Sequence, residues 1–463
     1  MAAPPDLHEF RLGAAPSGVV HLVFDSPGRS MNVLSNAAIS ELGHFAAWLG
    51  AADVAGVVVS SAKEAFCAGA DLTELGVAYD MIMAAPKAER TGLAFDHFFA
   101  LSRALRALET SGKPVAAAIA GLALGGGCEL TLACHHRVMA EGPRVALGLP
   151  ESLVGLLPGA GGTQRLPRLV GLEAALPVLL EGRRLTPAEA LDLGAAEEVV
   201  APGEEIEAAE RWVLAASRPR QPWDRADWRA ATSEAVGAAL APVRARVLAE
   251  THGHYPAPLA VLDCVEDGLP QPIGVALETE MSIFSRLIQR PEPRNMIQAL
   301  FLGKLDHDRR VRADALPAAL PEIEAAVAGA LADAGRQARL AGADEAEIAG
   351  AWSHAGFSHP LTDLSASQRP APPAGGEAGP GAESADLWFE RPPRSSLEKL
   401  AGAFVLAGAR GALPWLAALG PADARIVDYA LISSLGFPSY LGGPFALLNY
   451  LGDPGLRRGG ARG

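Results

Sequence analysis

The sequence predicts an α/β domain followed by a mostly α-helical half. Three observations lead there. Short apolar runs rich in β-branched residues alternate with helical patterns up to about residue 205. Helical periodicity dominates beyond that point. Residues 369–383, RPAPPAGGEAGPGAE, then interrupt the helical half with eight Pro or Gly in fifteen positions. A length of 463 residues fits, since about 150 residues per domain allows two to four domains.

The apolar runs are 19–24 (VVHLVF), 54–59 (VAGVVV) and 114–120 (PVAAAIA). Helical patterns cover 36–48 and 94–109, between the runs. Strands that alternate with helices pair in parallel, because each crossover returns the chain to the same edge. Helices are expected over 173–180 and 186–194, the second with Pro187 near its start. This first unit is expected to span 1–205, a helical linker region 206–360, a flexible linker 361–396 and a helical domain 397–463. The stretch 322–352 is Ala-rich and strongly helical. The linker composition is too polar and too rich in Pro and Gly to bury a core. Helices are expected again over 397–413 and 423–435, with GFPSYLGGPF breaking the second. No internal repeat is present.

Lys and Arg number 39 and Asp and Glu 53, a formal charge of −14. With no Lys/Arg block, a chain this acidic is not expected to bind nucleic acid or an anionic membrane. Its 49% of hydrophobic residues exclude wholesale disorder. The four cysteines, Cys67, Cys128, Cys134 and Cys264, are too scattered for a disulfide framework, and no CxxC exists. The start lacks the basic and apolar segments of a secretory signal, and no run of eighteen apolar residues occurs. A cytoplasmic protein is expected.

Two turns rich in small residues each follow a predicted strand: Ala65-Phe66-Cys67-Ala68-Gly69-Ala70-Asp71-Leu72, and Gly125-Gly126-Gly127-Cys128-Glu129-Leu130. Such turns let a ligand approach the backbone and leave N–H groups free to donate. Three successive glycines cost a helix start about 0.8–1 kcal/mol each if counted as helical. Taken alone, Glu129 is an acid favoured by the dipole of a helix N-terminus, and Glu151, in GLPE, is an ordinary capping acid. Cys128, His135 and His136 lack a third metal ligand at useful spacing and read as core, so no metal is expected.

Four words change that reading: AFCAGADL, PVAAAIAGLALGGGCELTLACHHRVMA, LGLPESLVGLLPGAGGTQRLPRLVG and LTPAEALDLGAAEEVV. In this order and spacing, residues 8–205 resemble the crotonase (enoyl-CoA hydratase/isomerase) superfamily. The resemblance implies a ClpP/crotonase-like β-β-α spiral for the N-terminal domain. It places the two catalytic glutamates at Glu129 and Glu151 and the oxyanion-hole amides at Ala70 and Gly126. It implies acyl-CoA contacts from Lys63, Ala68, Gly69, Asp71 and Leu72, with Lys63 near the nucleotide phosphates, although a solvated surface lysine fits that position equally well. Asn32, in a loop near the first strands, reads as structural. Superfamily members with other activities often lack one or both acids, so their joint presence favours hydration of a trans-2-enoyl-CoA. A Δ3–Δ2 enoyl isomerisation on the same acids is the alternative.

Later words, HYPAP (254–258), VLDCVEDGL, ALETEMSIFSRL and RNMIQALFLGK, together with residues 422–451, resemble multifunctional fatty-acid oxidation α-subunits. In those proteins a hydratase is fused to a 3-hydroxyacyl-CoA dehydrogenase. No strand–GxGxxG–helix fingerprint is present here, and the context of His354 and His359 does not match the family's catalytic histidine. The resemblance thus implies an α-subunit without its NAD-binding domain, and no cofactor is expected. An oligomer is expected. A thiolase or a separate 3-hydroxyacyl-CoA dehydrogenase is a possible partner, and a non-catalytic assembly subunit is the reading from another functional class.

Overall fold

The structure, a computed structural model, describes residues 4–361 and 395–452. All but the ends of the linker expected at 361–396 lies outside the described residues. Contacts divide the chain into two compact units: residues 1–246 with 256–290, and residues 247–255 with 291–463.

The first unit is built on a six-stranded sheet. Its strands are β1 (Phe10–Ala14), β2 (Val19–Phe24), β3 (Gly56–Ser61), β4 (Val115–Ile119), β6 (His136–Ala140) and β9 (Glu198–Val200), in the order β1-β2-β3-β4-β6-β9. Only β1 and β2 run antiparallel, with Phe10 opposite Phe24 and their rings stacked at 4.3 Å. The other pairs are parallel, as alternation with helices requires. A smaller sheet joins β5 (Leu122–Leu124), β7 (Ala146–Gly148) and β8 (Arg184–Leu185).

The helices of this unit are α1 (Asn36–Leu49), α2 (Leu72–Ala84), α3 (Lys87–Glu109), α4 (Gly126–Ala133), α5 (Gly162–Val170), α6 (Leu172–Glu181), α7 (Pro187–Leu193), α8 (Glu205–Ala215), α9 (Ser233–Thr251, which runs on into the second unit), α10 (Pro256–Gly268) and α11 (Ile273–Leu287). The face of α8 bearing Ala208, Ala209 and Val213 covers the sheet at Val19, Val58, Ala116, Ala118 and Val138. Packing continues past the boundary expected at residue 205. Helices α10 and α11 pack on each other and on α5, and α11 also packs on α3.

Strands β1 and β6 carry no apolar run in the sequence, and tertiary partners explain β6. Arg137 is its second residue, 1% exposed, and the cost of burying its charge is offset by four groups. Its guanidinium donates to the Glu197 carboxylate and to the carbonyls of Thr131, Cys134 and Ala195.

Asn32 ties together the loops at the carboxyl ends of β2 and β3. Its Nδ2 donates to Phe24 O (2.9 Å), Ser61 Oγ (2.9 Å) and Phe66 O (3.1 Å), and its Oδ1 accepts from Ser26 N–H (2.9 Å). The side chain is wholly buried, so these groups have no recourse to water.

The second unit is helical among its described residues: α12 (Pro291–Met296), α13 (Lys304–Arg312), α14 (Leu320–Leu340), α15 (Glu345–His354), α16 (Ser396–Ala412), α17 (Pro421–Leu435) and α18 (Pro444–Gly452). The helical expectation over 322–352 divides at residues 341–344, where Asp344 forms a capping box with Glu347 and starts α15. The core gathers Ile323, Val327, Leu331, Phe404 and Phe437 around Trp352, which stacks on Phe357 at 3.8 Å. Asp428 is buried and accepts from the N–H groups of Phe445 (2.8 Å) and Ala446 (3.0 Å) at the start of α18.

Asn32→Ala is expected to lower the stability of the first unit by about 2 kcal/mol, since it leaves the buried Ser26 N–H and Phe66 carbonyl unpaired. Chemical denaturation read by near-UV circular dichroism checks this, and an unchanged midpoint would contradict the role given to Asn32.

Candidate functional site

The parallel strands deliver their following turns to one end of the sheet, where ligands of open α/β sheets bind. After β3 the turn reaches Ala70. After β4 and β5 it reaches Gly126. Asn32 holds the first turn through Phe66 O, and Leu34 bridges it by donating to Gly69 O (2.8 Å) and accepting from Asp71 N–H (3.2 Å). Gly125 sets the second turn, with φ +55° and ψ −129°. That region is open in practice only to glycine. A Cβ on Gly127 would lie 2.7 Å from Cys67 O, so the two turns touch backbone to backbone. Among the described residues, neither the Ala70 N–H nor the Gly126 N–H has a hydrogen-bond acceptor.

Both N–H groups belong to residues lining a cavity of about 120 Å³. Glu129 and Glu151 line it too, together with Leu34, Ile39, Leu75, Phe98, Leu101, Met281 and Phe284. The structure therefore brings Glu129, Glu151, Ala70 and Gly126 to one cavity, where the resemblance placed them. Asp71 also lines the cavity, but its carboxylate is engaged. Oδ1 caps α2 at Thr73 N–H (2.9 Å), and Oδ2 pairs with Arg29 (2.8 Å). Lys63, Ala68, Gly69 and Leu72 are not among the lining residues. Lys63 is held by the Asp25 carboxylate at 2.8 Å, which draws its ammonium toward the end of β2. Cys128 is buried, and His136 stacks on Trp212 at 4.6 Å, which suits the core role expected of them.

Glu129 stands in the first turn of α4 and is 2% exposed. Its Oε1 accepts from the N–H groups of Ala160 and Gly162, both at 2.7 Å. Burial pushes its carboxyl up to about 7, against these two donors and the nearby Arg165. Glu151 begins a short 3-10 turn, Glu151–Val154. Its Oε2 is enclosed and has no hydrogen-bond partner. Burial, then the Glu129 charge, hold its carboxyl well above the ordinary range. Two acids in one pocket are thus held apart: one has two donors on a single carboxylate oxygen, and the other has an enclosed oxygen with no partner.

A third acid lies behind this pair and was not expected. Glu280 of α11 is wholly buried. Its Oε1 accepts from Gly161 N–H (2.6 Å), and its Oε2 accepts from Thr163 N–H (3.1 Å) and from the Thr163 hydroxyl. Burial, followed by the Glu129 charge, raises its carboxyl to about 8.

Residues 14–226 match the family described as enoyl-CoA hydratase/isomerase. The fatty acid oxidation complex subunit alpha of Shewanella halifaxensis (strain HAW-EB4) is 35% identical over 297 residues, covering 63% of this chain and 40% of that relative. The protein of the same name from Shewanella amazonensis (strain ATCC BAA-1098 / SB2B) is 36% identical over 288 residues, covering 61% and 39%. The chain therefore spans about 40% of the length of these curated relatives. A solved enoyl-CoA hydratase from Bacillus anthracis is 27% identical and covers 63% of this chain and 96% of its own, with a TM-score of 0.39.

The raised carboxyls link stability to pH. A carboxyl whose folded pKa lies above its unfolded value binds more protons folded than unfolded, so its contribution is full at low pH and is lost as pH rises through the folded pKa. The buried histidines are shifted down and oppose this around their unfolded pKa of about 6.5, an opposition that fades by about pH 7.5, where they are neutral in both states. Between about pH 7 and 8.5 the melting temperature of the first unit is expected to fall. Glu151→Gln should flatten that fall and raise the melting temperature at pH 8.5, since the neutral amide never has to ionise in the pocket. Calorimetry across this range checks the sign, and a melting temperature that climbs with pH in the wild type would refute it.

Proposed function

With residues 14–226 belonging to the enoyl-CoA hydratase/isomerase family, we propose that the chain adds water to a trans-2-enoyl-CoA, giving the 3-hydroxyacyl-CoA of fatty-acid β-oxidation. One observation carries this reading: Glu129 and Glu151 line the same cavity as the unpaired N–H groups of Ala70 and Gly126.

The roles follow from the environments. The thioester carbonyl lies between the Ala70 and Gly126 N–H groups, which stabilise the negative charge that gathers on its oxygen. One such donor is typically worth about 10²–10³ in rate. Gly126 also opens α4, so the positive end of the helix dipole favours the same charge. Glu129, with two N–H groups stabilising its charge, is the carboxylate that takes a proton from water. The water oxygen bonds to Cβ, and the electrons of the double bond pass through Cα to the thioester oxygen. Glu151, kept protonated by its unpartnered and enclosed oxygen, delivers its proton to Cα. Net, one water is added. The pair is reset when Glu129 releases a proton and Glu151 takes one up. No cofactor enters this scheme.

Isomerisation of a 3-enoyl thioester needs one carboxylate to take and return a single proton, which would leave the second acid without a part. Hydration uses the whole site. The apolar wall formed by Leu75, Phe98, Leu101 and Phe284 suits an acyl chain. The second unit plays no part in this chemistry. The relatives named as subunits of a fatty acid oxidation complex support a role for it in binding a separate thiolase or dehydrogenase.

Glu129→Gln and Glu151→Gln are each expected to lower kcat for crotonyl-CoA hydration by about 10²–10⁴. Loss of enoyl-thioester absorbance, with product analysis on 2-enoyl and 3-enoyl substrates, measures this. Wild-type hydration rates in both variants would sink the reading, and turnover of the 3-enoyl thioester alone would replace it with isomerisation.

A further inference from the structure

One buried titratable group lies outside the mechanism just described. Glu280 comes from α11, beyond the residues matched by the family model. It meets the same main-chain segment as Glu129. The N–H groups of Ala160 and Gly162 point to Glu129, and those of Gly161 and Thr163 point to Glu280. Four consecutive donors thus alternate between two buried carboxylates on opposite sides of one strip of backbone. Arg165 holds that strip a third way, donating to Ala160 O at 2.8 Å while its guanidinium pairs with Glu109 at 3.1 Å. The Thr163 hydroxyl donates to Glu280 and accepts from Gln164 Nε2 (2.9 Å), which also donates to Cys264 O (2.8 Å), so its orientation is fixed.

We propose that Glu280 is a positioning residue for the acid pair: through residues 160–163 it fixes the Glu129 carboxylate, and its ionisation bears on the alkaline end of the pH range over which Glu129 and Glu151 exchange protons. This rests on, and deepens, the reading of those two residues as an acid–base pair.

A carboxylate is what the segment needs. Three donors converge on Glu280, and an amide in its place would turn one NH2 group toward a main-chain N–H. The charged and titratable groups that act on Glu280 come from α4, the 3-10 turn, α5 and α10. Glu129 on α4 and Glu151 on the 3-10 turn repel its charge, Arg165 and Arg168 on α5 attract it, and the Cys264 thiol on α10 is held protonated beside it. Removing the charge makes Glu151 easier to ionise. The alkaline limb of a bell-shaped pH profile then moves to lower pH, while the acid limb, set by Glu129, stays nearer its place. Loss of the anchor also lets the Glu129 carboxylate drift, and a misplacement of about 1 Å costs on the order of 10²-fold.

The experiment measures kcat and KM for crotonyl-CoA against pH with the full chain. Glu280→Gln is expected to lower kcat by about 10–100-fold with little change in KM, and to move the alkaline limb acidward by about half a unit or more. Glu280→Asp keeps the charge at shorter reach, so kcat falls while the alkaline limb stays nearer its wild-type position. Thr163→Val removes one donor, which makes Glu280 harder to ionise. It gives a smaller acidward shift and covers the case in which Glu280→Gln fails to fold. Glu278→Gln, on the exposed face of α11, leaves the profile unchanged. A fall in kcat with an unmoved alkaline limb would reduce Glu280 to a structural residue and overturn the proposal, as would wild-type behaviour of Glu280→Gln. If the wild type itself fails to hydrate crotonyl-CoA, the hydratase reading fails on its own. Infrared titration of the protonated-carboxyl band, which needs no turnover, then decides. Loss of one titration in Glu280→Gln with a lower midpoint for another supports the coupling, and unchanged midpoints overturn it.

Discussion

The site depends on one strip of backbone, residues 160–163, whose N–H groups are shared between buried carboxylates. A buried carboxylate without donors would take up a proton and lose its use as a base. Glu129 has two donors from this strip, and they lower the cost of its charge without abolishing it. Glu151 stands in the same cavity with an oxygen that no group satisfies. The difference between the two acids is therefore a difference in donors, set by where one loop runs. Neither an acid nor a base is made by residue type here, since both are glutamates.

The first unit was largely legible because its signals are local. Runs such as VVHLVF and PVAAAIA are strands by composition, and they sit at Val19–Phe24 and Val115–Ile119. The two glycine-rich turns were legible because a close backbone approach leaves only small residues possible, and they do meet at Gly127 and Cys67. What stayed hidden depends on partners remote in sequence. HRVMA becomes a buried strand only because Glu197 and three carbonyls receive Arg137. Lys63 was open to two readings, a phosphate contact or a solvated surface lysine, and it pairs with Asp25 across the end of the neighbouring strand.

Glu280 is the clearest case. It lies 119 positions from Gly161, and no motif joins them. A signal did exist. In α11 the buried positions Ile273, Ala276, Leu277, Met281 and Phe284 form one stripe at helical spacing, and Glu280 falls within it. An acid on the apolar face of a helix asks for a buried partner. Reading polarity against the stripe, rather than reading the stripe alone, would have marked it. The same step explains why packing continues past residue 205: the strip at 160–163 meets a second carboxylate from α11.

The shape of the strip accounts for its glycines. For successive N–H groups to point to opposite sides, the backbone must turn, and Gly161 does so at φ +99°. A Cβ there would run into the Arg165 guanidinium, and one on Gly162 would lie 3.0 Å from Glu129 Oε1. Each glycine therefore makes room for a charged group as well as for a turn. Arg165 then acts on both sides of the balance. Its charge lies against Glu109, with both side chains fully buried, and it holds Ala160 O, so its own burial is compensated while its field favours the ionised forms of Glu129 and Glu280. Without that cation, the two acids sharing the segment would retain their protons to higher pH, and the cavity would hold two proton donors and no base. The motif PGAGGTQR is thus a single device. Its glycines let the backbone serve two carboxylates, its threonine adds a donor, and its arginine keeps one of those carboxylates charged.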